Sequence, residues 1–159
     1  MPNPDKIKLC ETVLMSIIYR TIAIEDYPKI AELWSSTDGV VVRTSDSKEG
    51  TEKYLSRNQG LSFVAEFEGV IIGSIFAGHD GKRGYIQHLI VSSNHRSKGI
   101  GSQLVSLCID ALSNLDIVKS HIHVLIDNKN AKEFWFKQGW KLREDIVVFS
   151  HLDTTDTNA

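Results

Sequence analysis

The stretch Leu89-Ile90-Val91-Ser92-Ser93-Asn94-His95-Arg96-Ser97-Lys98-Gly99-Ile100-Gly101 carries the residue types best suited to holding an anion. An apolar strand runs there into a short polar turn and then into a helix start that bears two glycines. The first turn of a helix leaves four backbone N–H groups without intrahelical partners and lies at the positive end of the helix dipole, so it attracts phosphate. Gly99 and Gly101 let a ligand approach that backbone with no Cβ in the way, and Arg96 and Lys98 add cationic donors. The expected ligand is a diphosphate. Two other phosphate-binding patterns do not occur: there is no GxxxxGK followed by Ser or Thr, and no GxGxxG.

Such a loop needs a sheet and helices to hold it. Ser16 to Ala23 alternates as a strand. A helical pattern follows, with Tyr27, Ile30, Ala31, Leu33 and Trp34 on one side, ending before Ser35 to Gly39. A second helix is expected from Ser47 to Asn58. Three strand-like runs, Leu61 to Phe67, Val70 to Gly78 and Tyr85 to Val91, are joined by Glu68-Gly69 and by His79 to Gly84, short joints that favour an antiparallel meander. A long helix from about Gly99 to Leu115 carries an apolar stripe at Ile100, Leu104, Leu107, Cys108, Ala111 and Leu115. Strand Ser120 to Leu125, helix Asn130 to Gln138 with Gly139 as its stop, and two closing strands around Lys141 to Leu152 complete the pattern. The expectation is one mixed α/β (α+β) domain with about seven strands and about four helices. Residues 1–14 read as a disordered or peripheral extension, 15–152 as the domain and 153–159 as a flexible tail.

Composition narrows the function. The 159 residues hold 18 Lys plus Arg against 20 Asp plus Glu, a net charge of −2, which supplies no basic field for nucleic acid or a membrane surface. Two cysteines, Cys10 and Cys108, are too few for a disulfide framework, and neither lies in a cluster of metal-ligand spacing, so no metal is expected. No apolar run approaches 18 residues and the stretch before Met15 lacks signal-peptide features, which points to the cytoplasm.

The run Arg96-x-x-Gly99-x-Gly101 after a Leu-x-Val strand resembles the acetyl-coenzyme A signature of the GNAT superfamily of N-acetyltransferases. Asn128-x-x-Ala131-x-x-Phe134-Trp135-x-Lys137-x-Gly139-Trp140 resembles that superfamily's second motif at matching spacing. The resemblance covers about residues 16 to 152, and Ser93 departs from it where many relatives carry Pro. It implies a twisted, mixed and mostly antiparallel sheet splayed between its fourth and fifth strands, with acetyl-CoA as co-substrate in the opening. The backbone of Leu89, Ile90 and Val91 would pair with the pantetheine arm. Arg96, Ser97, Lys98, Gly99, Ile100, Gly101 and Ser102 would hold the pyrophosphate, with Asn128 and Trp135 beside the arm. The implied activity is direct acetyl transfer to a primary amine, on a small molecule or a protein, in a pocket built from about Tyr27 to Asn58. A homodimer stays open. A non-catalytic acyl-CoA-binding sensor is the alternative from another class, and a nucleotide-binding switch ranks third.

Transfer to an amine poses a proton problem. At pH 7 an amine of pKa near 10.4 is neutral in about 1 molecule in 2,500, equivalent to roughly 4.6 kcal/mol, so a base or a desolvating site helps. The departing thiol is a fair leaving group, and many relatives protonate it from a Tyr where this chain has Trp135, whose indole does not release a proton near neutrality. On strand alternation Tyr85 and Gln87 share one face of the fourth strand, and His121 and His123 one face of the fifth. Among positions matched by the resemblance only His123 titrates near pH 7, so His123 is the expected base, with Tyr85 beside it at the acceptor mouth. Asp80 and Arg83 lie in the neighbouring loop, where an ordinary Asp-Gly hairpin turn is the plainer reading. Glu66, His79 and His88 rank lower because none sits on a matched catalytic position.

Overall fold

A computed structural model describes residues 16–159; the expected extension at residues 1–14 lies outside the described residues. Strands β1 (Ile18–Thr21), β2 (Phe63–Phe67), β3 (Val70–His79), β4 (Gly84–Val91) and β5 (Ser120–Ile122) form one sheet in the order β1-β2-β3-β4-β5. All neighbours run antiparallel except β4 and β5. Helices α1 (Tyr27–Ser35), α2 (Lys48–Arg57), α3 (Ile100–Ser113) and α4 (Lys129–Lys137) flank it, and α3 is the crossover that a parallel pair requires. Local chemistry sets several boundaries. Glu68 and Gly69 both have positive φ, 51° and 77°, as a two-residue type I′ hairpin turn demands. The Ser47 hydroxyl accepts the Gly50 N–H at 3.2 Å and starts α2.

The sheet separates two cores. Ile72, Ile75, Ala77 and Ile86 pack with Ile100, Leu104, Cys108 and Leu112 of α3, while Val64, Ile71, Phe76 and Ile90 pack with Ile30, Leu33 and Trp34 of α1. Ile86 and Ile90 lie four apart on β4, and on a regular strand they would share a face. The ladder shows why they do not: Phe76 pairs with Gln87 but Ser74 pairs with Ile90, so β4 carries one residue more than β3. That β-bulge falls at His88, whose φ is +46°. Pairing of β4 with β5 covers only Gly84 to Ile86, so from Gln87 onward the two strands part.

Among the described residues five strands replace the expected seven. The closing strands expected around Lys141 to Leu152 do not form: β5 ends at Ile122, and a segment of strand-forming side chains without a paired edge makes no ladder. Val147 and Phe149 are 76% and 92% exposed there. The α3 stripe also ends earlier than expected. Leu115 is exposed, and Ile117 takes a core place after the helix stops. Cys108 is a free core thiol that donates to the Leu61 carbonyl, and burial pushes it up to about 12. The chain end returns to the α1–α2 connection, where Thr44 N–H donates to Asn158 O at 3.1 Å. No helix among the described residues is long and apolar enough to cross a membrane.

One ion cluster ties β1 to its surroundings. Arg20 donates to both oxygens of Asp26 at 2.7 and 2.8 Å and to Glu66 at 2.8 Å, while Asp26 also accepts the Ala23 N–H. The Arg20 hydrogen bonds hold the Asp26 carboxyl below its ordinary value against the opposing effect of burial. Asp26→Asn should therefore destabilise the fold by about 1–3 kcal/mol at pH 7. Because the folded pKa is depressed, this contribution is complete above the ordinary carboxylate range and is lost as pH falls through the folded value. Urea midpoints of parent and variant should differ at pH 7 and converge in strong acid.

Candidate functional site

Where β4 and β5 part, a cleft of about 930 Å³ opens. Leu89, Ile90 and Val91 form its floor. Arg96, Ser97, Gly99, Ile100, Gly101 and Ser102 form one wall, and Ile122, Val124, Asn128, Phe134 and Trp135 the other. The α1–α2 connection, from Thr37 to Arg43, closes the top together with His88 and His95.

The turn from β4 to α3 is shaped for backbone exposure. Ser93 to His95 makes a single 3-10 turn, and the Arg96 Nε donates to the Val91 carbonyl at 3.1 Å, folding that side chain back over the strand end. Ser97 and Gly99 both have positive φ, 60° and 79°. Gly99 is the N-cap of α3 and offers no side-chain acceptor, so the N–H groups of the first turn face the cleft without a side-chain cap. A Cβ built on Gly99 would meet nothing within 4 Å, which leaves open space over this backbone.

Several expected ligand residues also hold the wall together. A Cβ on Gly101 would come within 3.2 and 3.3 Å of the Phe134 ring, so this glycine admits α4 as well as baring the helix start. The Ser102 hydroxyl accepts from Gln138 Nε2 at 2.8 Å and clamps α4 to α3. Asn128 caps α4, its Oδ1 accepting the Ala131 N–H at 3.0 Å. Trp135 is 6% exposed and packs edge-to-face on Trp140, with ring centroids 4.6 Å apart.

Three expected residues lie outside the lining: Lys98, Tyr85 and His123. Tyr85 is at the opposite end of β4 from the phosphate turn, where its hydroxyl donates to Asp80 at 3.4 Å. Asp80 also accepts the backbone N–H groups of Lys82 and Arg83, at 2.8 and 2.7 Å, so it organises the hairpin loop. Ile122, Val124 and Leu125 line the cleft, whereas His121 and His123 do not. Partial burial, then Lys119 and Arg143, push the His121 imidazole below its ordinary value.

The structure brings in two residues that the sequence ranked low or passed over. His88 Nε2 lies 2.9 Å from Asp46 Oδ1, a contact between residues 42 positions apart that no local pattern announces. Burial raises the Asp46 carboxyl, but hydrogen bonds from His88 and from the Arg43 backbone N–H outweigh it and hold the group below its ordinary value.

Comparison with known proteins places these features in a family. The profile of the Acetyltransferase (GNAT) family matches residues 27–140. An acetyltransferase of Sodalis glossinidius is 26% identical over 129 residues, covering 81% of this chain and 90% of that protein. The PaiA N-acetyltransferase of Thermoplasma acidophilum, solved in complex with coenzyme A, superposes with a TM-score of 0.73 at 22% identity over 81% of this chain and 92% of that one. AAC(6')-Iy, solved with the bisubstrate analogue CoA-S-monomethyl-acetylneamine, superposes with a TM-score of 0.69 at 16% identity over 86% and 99%. At these identities the two structures testify to the fold.

The cap on α4 is separable from the rest of the wall. Asn128→Ala should lower stability by about 1 kcal/mol, and Asn128→Asp should keep most of it, because either side-chain oxygen can accept the Ala131 N–H. Chemical denaturation reads the difference, and an unchanged midpoint for the alanine variant would show that α4 is held by its packing alone.

Proposed function

The chain belongs to the acetyltransferase (GNAT) family, and from that premise we propose that it is an acetyl-CoA-dependent N-acetyltransferase that moves the acetyl group directly to a primary amine. The observation that carries this reading is the edge of β4 after Ile86, which has no strand partner among the described residues and runs directly into the uncapped N-terminus of α3. An amide-bearing arm can pair with such an edge as an added strand would, and a diphosphate can rest on the N–H groups at its end. The residues fit that ligand. Leu89 to Val91 would hold the arm through their backbone, Gly99 to Ser102 would hold the phosphates, and Arg96 would add charge.

Acetyl-CoA brings an acyl group already activated as a thioester, so the protein must bind, orient and manage protons. Ile122, Val124 and Phe134 give the arm an apolar wall. Trp135 would serve as part of that wall, since its indole cannot protonate a departing thiolate and its ring is committed to Trp140. Water is left as the proton source for sulfur. The acceptor would enter under the α1–α2 connection, and the likeness to a fold captured with an acetylneamine conjugate supports an amine there. Incubation with radiolabelled acetyl-CoA and a panel of primary amines should yield labelled amide and free thiol in equal amounts. Thiol release without amide would contradict the reading.

The phosphate turn is testable by a matched pair. Gly99→Val and Gly60→Val each place a branched side chain at positive φ, 79° and 75°, in open space, so each carries similar backbone strain of about 1–3 kcal/mol. Only Gly99 borders the cleft. By calorimetry, coenzyme A affinity should fall at least tenfold in Gly99→Val and hold in Gly60→Val; equal affinities would remove Gly99 from the binding site.

A further inference from the structure

We propose that His88 is the catalytic base that takes the proton from the acceptor amine, and that Asp46 is its positioning residue; this assignment rests on the N-acetyltransferase reading above. His88 sits on the β4 bulge, one residue before the floor residue Leu89, and lines the same cleft. Its φ of +46° is a conformation that non-glycine residues adopt at a cost and that persists where the surroundings enforce it.

Those surroundings are built around its ring. Trp34, 3% exposed, lies against the imidazole with centroids 4.8 Å apart and is itself tethered through its indole N–H to Ser74. Phe76 meets the imidazole edge-on at 6.2 Å. Asp46 is fixed just as firmly. Its Oδ2 accepts the Arg43 N–H at 2.7 Å, and its carbonyl accepts the hydroxyls of Tyr27 at 3.0 Å and Thr51 at 3.4 Å. Asp46 is thus held from both α1 and α2 before it meets His88.

The hydrogen bond selects the tautomer. A carboxylate at Nε2 keeps the proton of neutral imidazole on that nitrogen and leaves the lone pair on Nδ1. Among the described residues Nδ1 has no hydrogen-bond partner, and the one buried side-chain polar atom without a partner is the Tyr54 hydroxyl, so Nδ1, on a residue that lines the cleft, is not fully buried. Of the titratable and charged groups nearby, Asp46 bonds the ring, Arg43 and Tyr27 bond Asp46, Tyr54 packs on Phe76, and His95 lines the same cleft. The two rings packed against the imidazole, Trp34 and Phe76, are neutral.

A protonated amine gives one proton to Nδ1, and its freed lone pair forms the N–C bond to the thioester carbonyl. The C–S bonding pair leaves on sulfur. The second N–H proton reaches the thiolate through water, giving amide and thiol, and the imidazolium returns its proton to solvent.

The test uses the full chain with acetyl-CoA and spermidine, glucosamine 6-phosphate, kanamycin and a Met-Val-Asn-Ala-Leu peptide as acceptors. In the parent, kcat/KM should rise from acid to a plateau, as a general base that must first shed its own proton requires. His88→Gln should lose about 10²-fold at pH 7 and climb instead with deprotonation of the amine, while coenzyme A affinity stays within twofold. Asp46→Asn should lose about tenfold, in kcat rather than in KM, because the ring then lacks the carboxylate that fixes its tautomer. An active parent whose profile His88→Gln overlays overturns this assignment alone. A parent inert toward every amine overturns the transferase reading as well. Should the variants fail to fold, nitrogen NMR of the parent decides: the Nε2–H tautomer supports the assignment and the Nδ1–H tautomer overturns it.

Discussion

The extra residue in β4 is the constraint from which the site follows. Without it Ile90 would point to the α3 side with Ile86, and the α1 core would lose one of its buried members. Burying an isoleucine is worth about 1.5–3 kcal/mol, whereas a left-handed φ on an ordinary residue costs about 1–2 kcal/mol, so the bulge at His88 is sustained by the two cores it satisfies. A bulge also bends its strand and increases its twist. Here it begins where pairing with β5 ends, and the same local distortion that divides the hydrophobic faces frees the backbone of Leu89 to Val91.

An unpaired strand edge with an apolar wall opposite invites collapse, and the wall has to be kept at its distance. α4 does this through a small number of specific contacts. Gln138 grips Ser102, Phe134 lies over the absent side chain of Gly101, and Trp135 locks against Trp140. Each also explains a residue type that the phosphate reading alone would claim for a ligand. Ser102, Gly101, Asn128 and Trp135 therefore each have a structural task in holding that wall.

The helices, the meander and the glycine-bearing turn into α3 were legible in the sequence because they rest on local rules: Ser47 before α2, the two-residue joint at Glu68-Gly69, and glycines at the start of α3. Features that depend on what lies across the fold were not. The expected closing strands have the right side chains, but strand formation needs a partner edge, and β5 stops at Ile122. His123 was singled out by residue type at a position matched through the resemblance, yet Ile122 and Val124 line the cleft and His123 does not. His88 was ranked low because it sits on no matched catalytic position, and counting at period two, which does not register an inserted residue, gave no reason to raise it. Its partner Asp46, in a 3-10 turn just before the Ser47 cap, has no feature of spacing that connects it to a strand so far along the chain.

The bulge also separates two kinds of electrostatics that would oppose each other if mixed. On the α3 side the cleft presents helix N–H groups and Arg96, all favourable to phosphate. On the α1 side it presents His88, and behind that ring, outside the lining, the Asp46 carboxylate is held below its ordinary pKa by its hydrogen bonds. A carboxylate next to a diphosphate would repel it, and a cationic loop next to an ammonium group would hinder its arrival. Because successive residues of a regular strand are forced to opposite faces, a strand can serve both sides only by alternation. The insertion at His88 lets consecutive residues change allegiance, so the acidic partner meets the end of β4 from one side and the anion loop leaves it on the other.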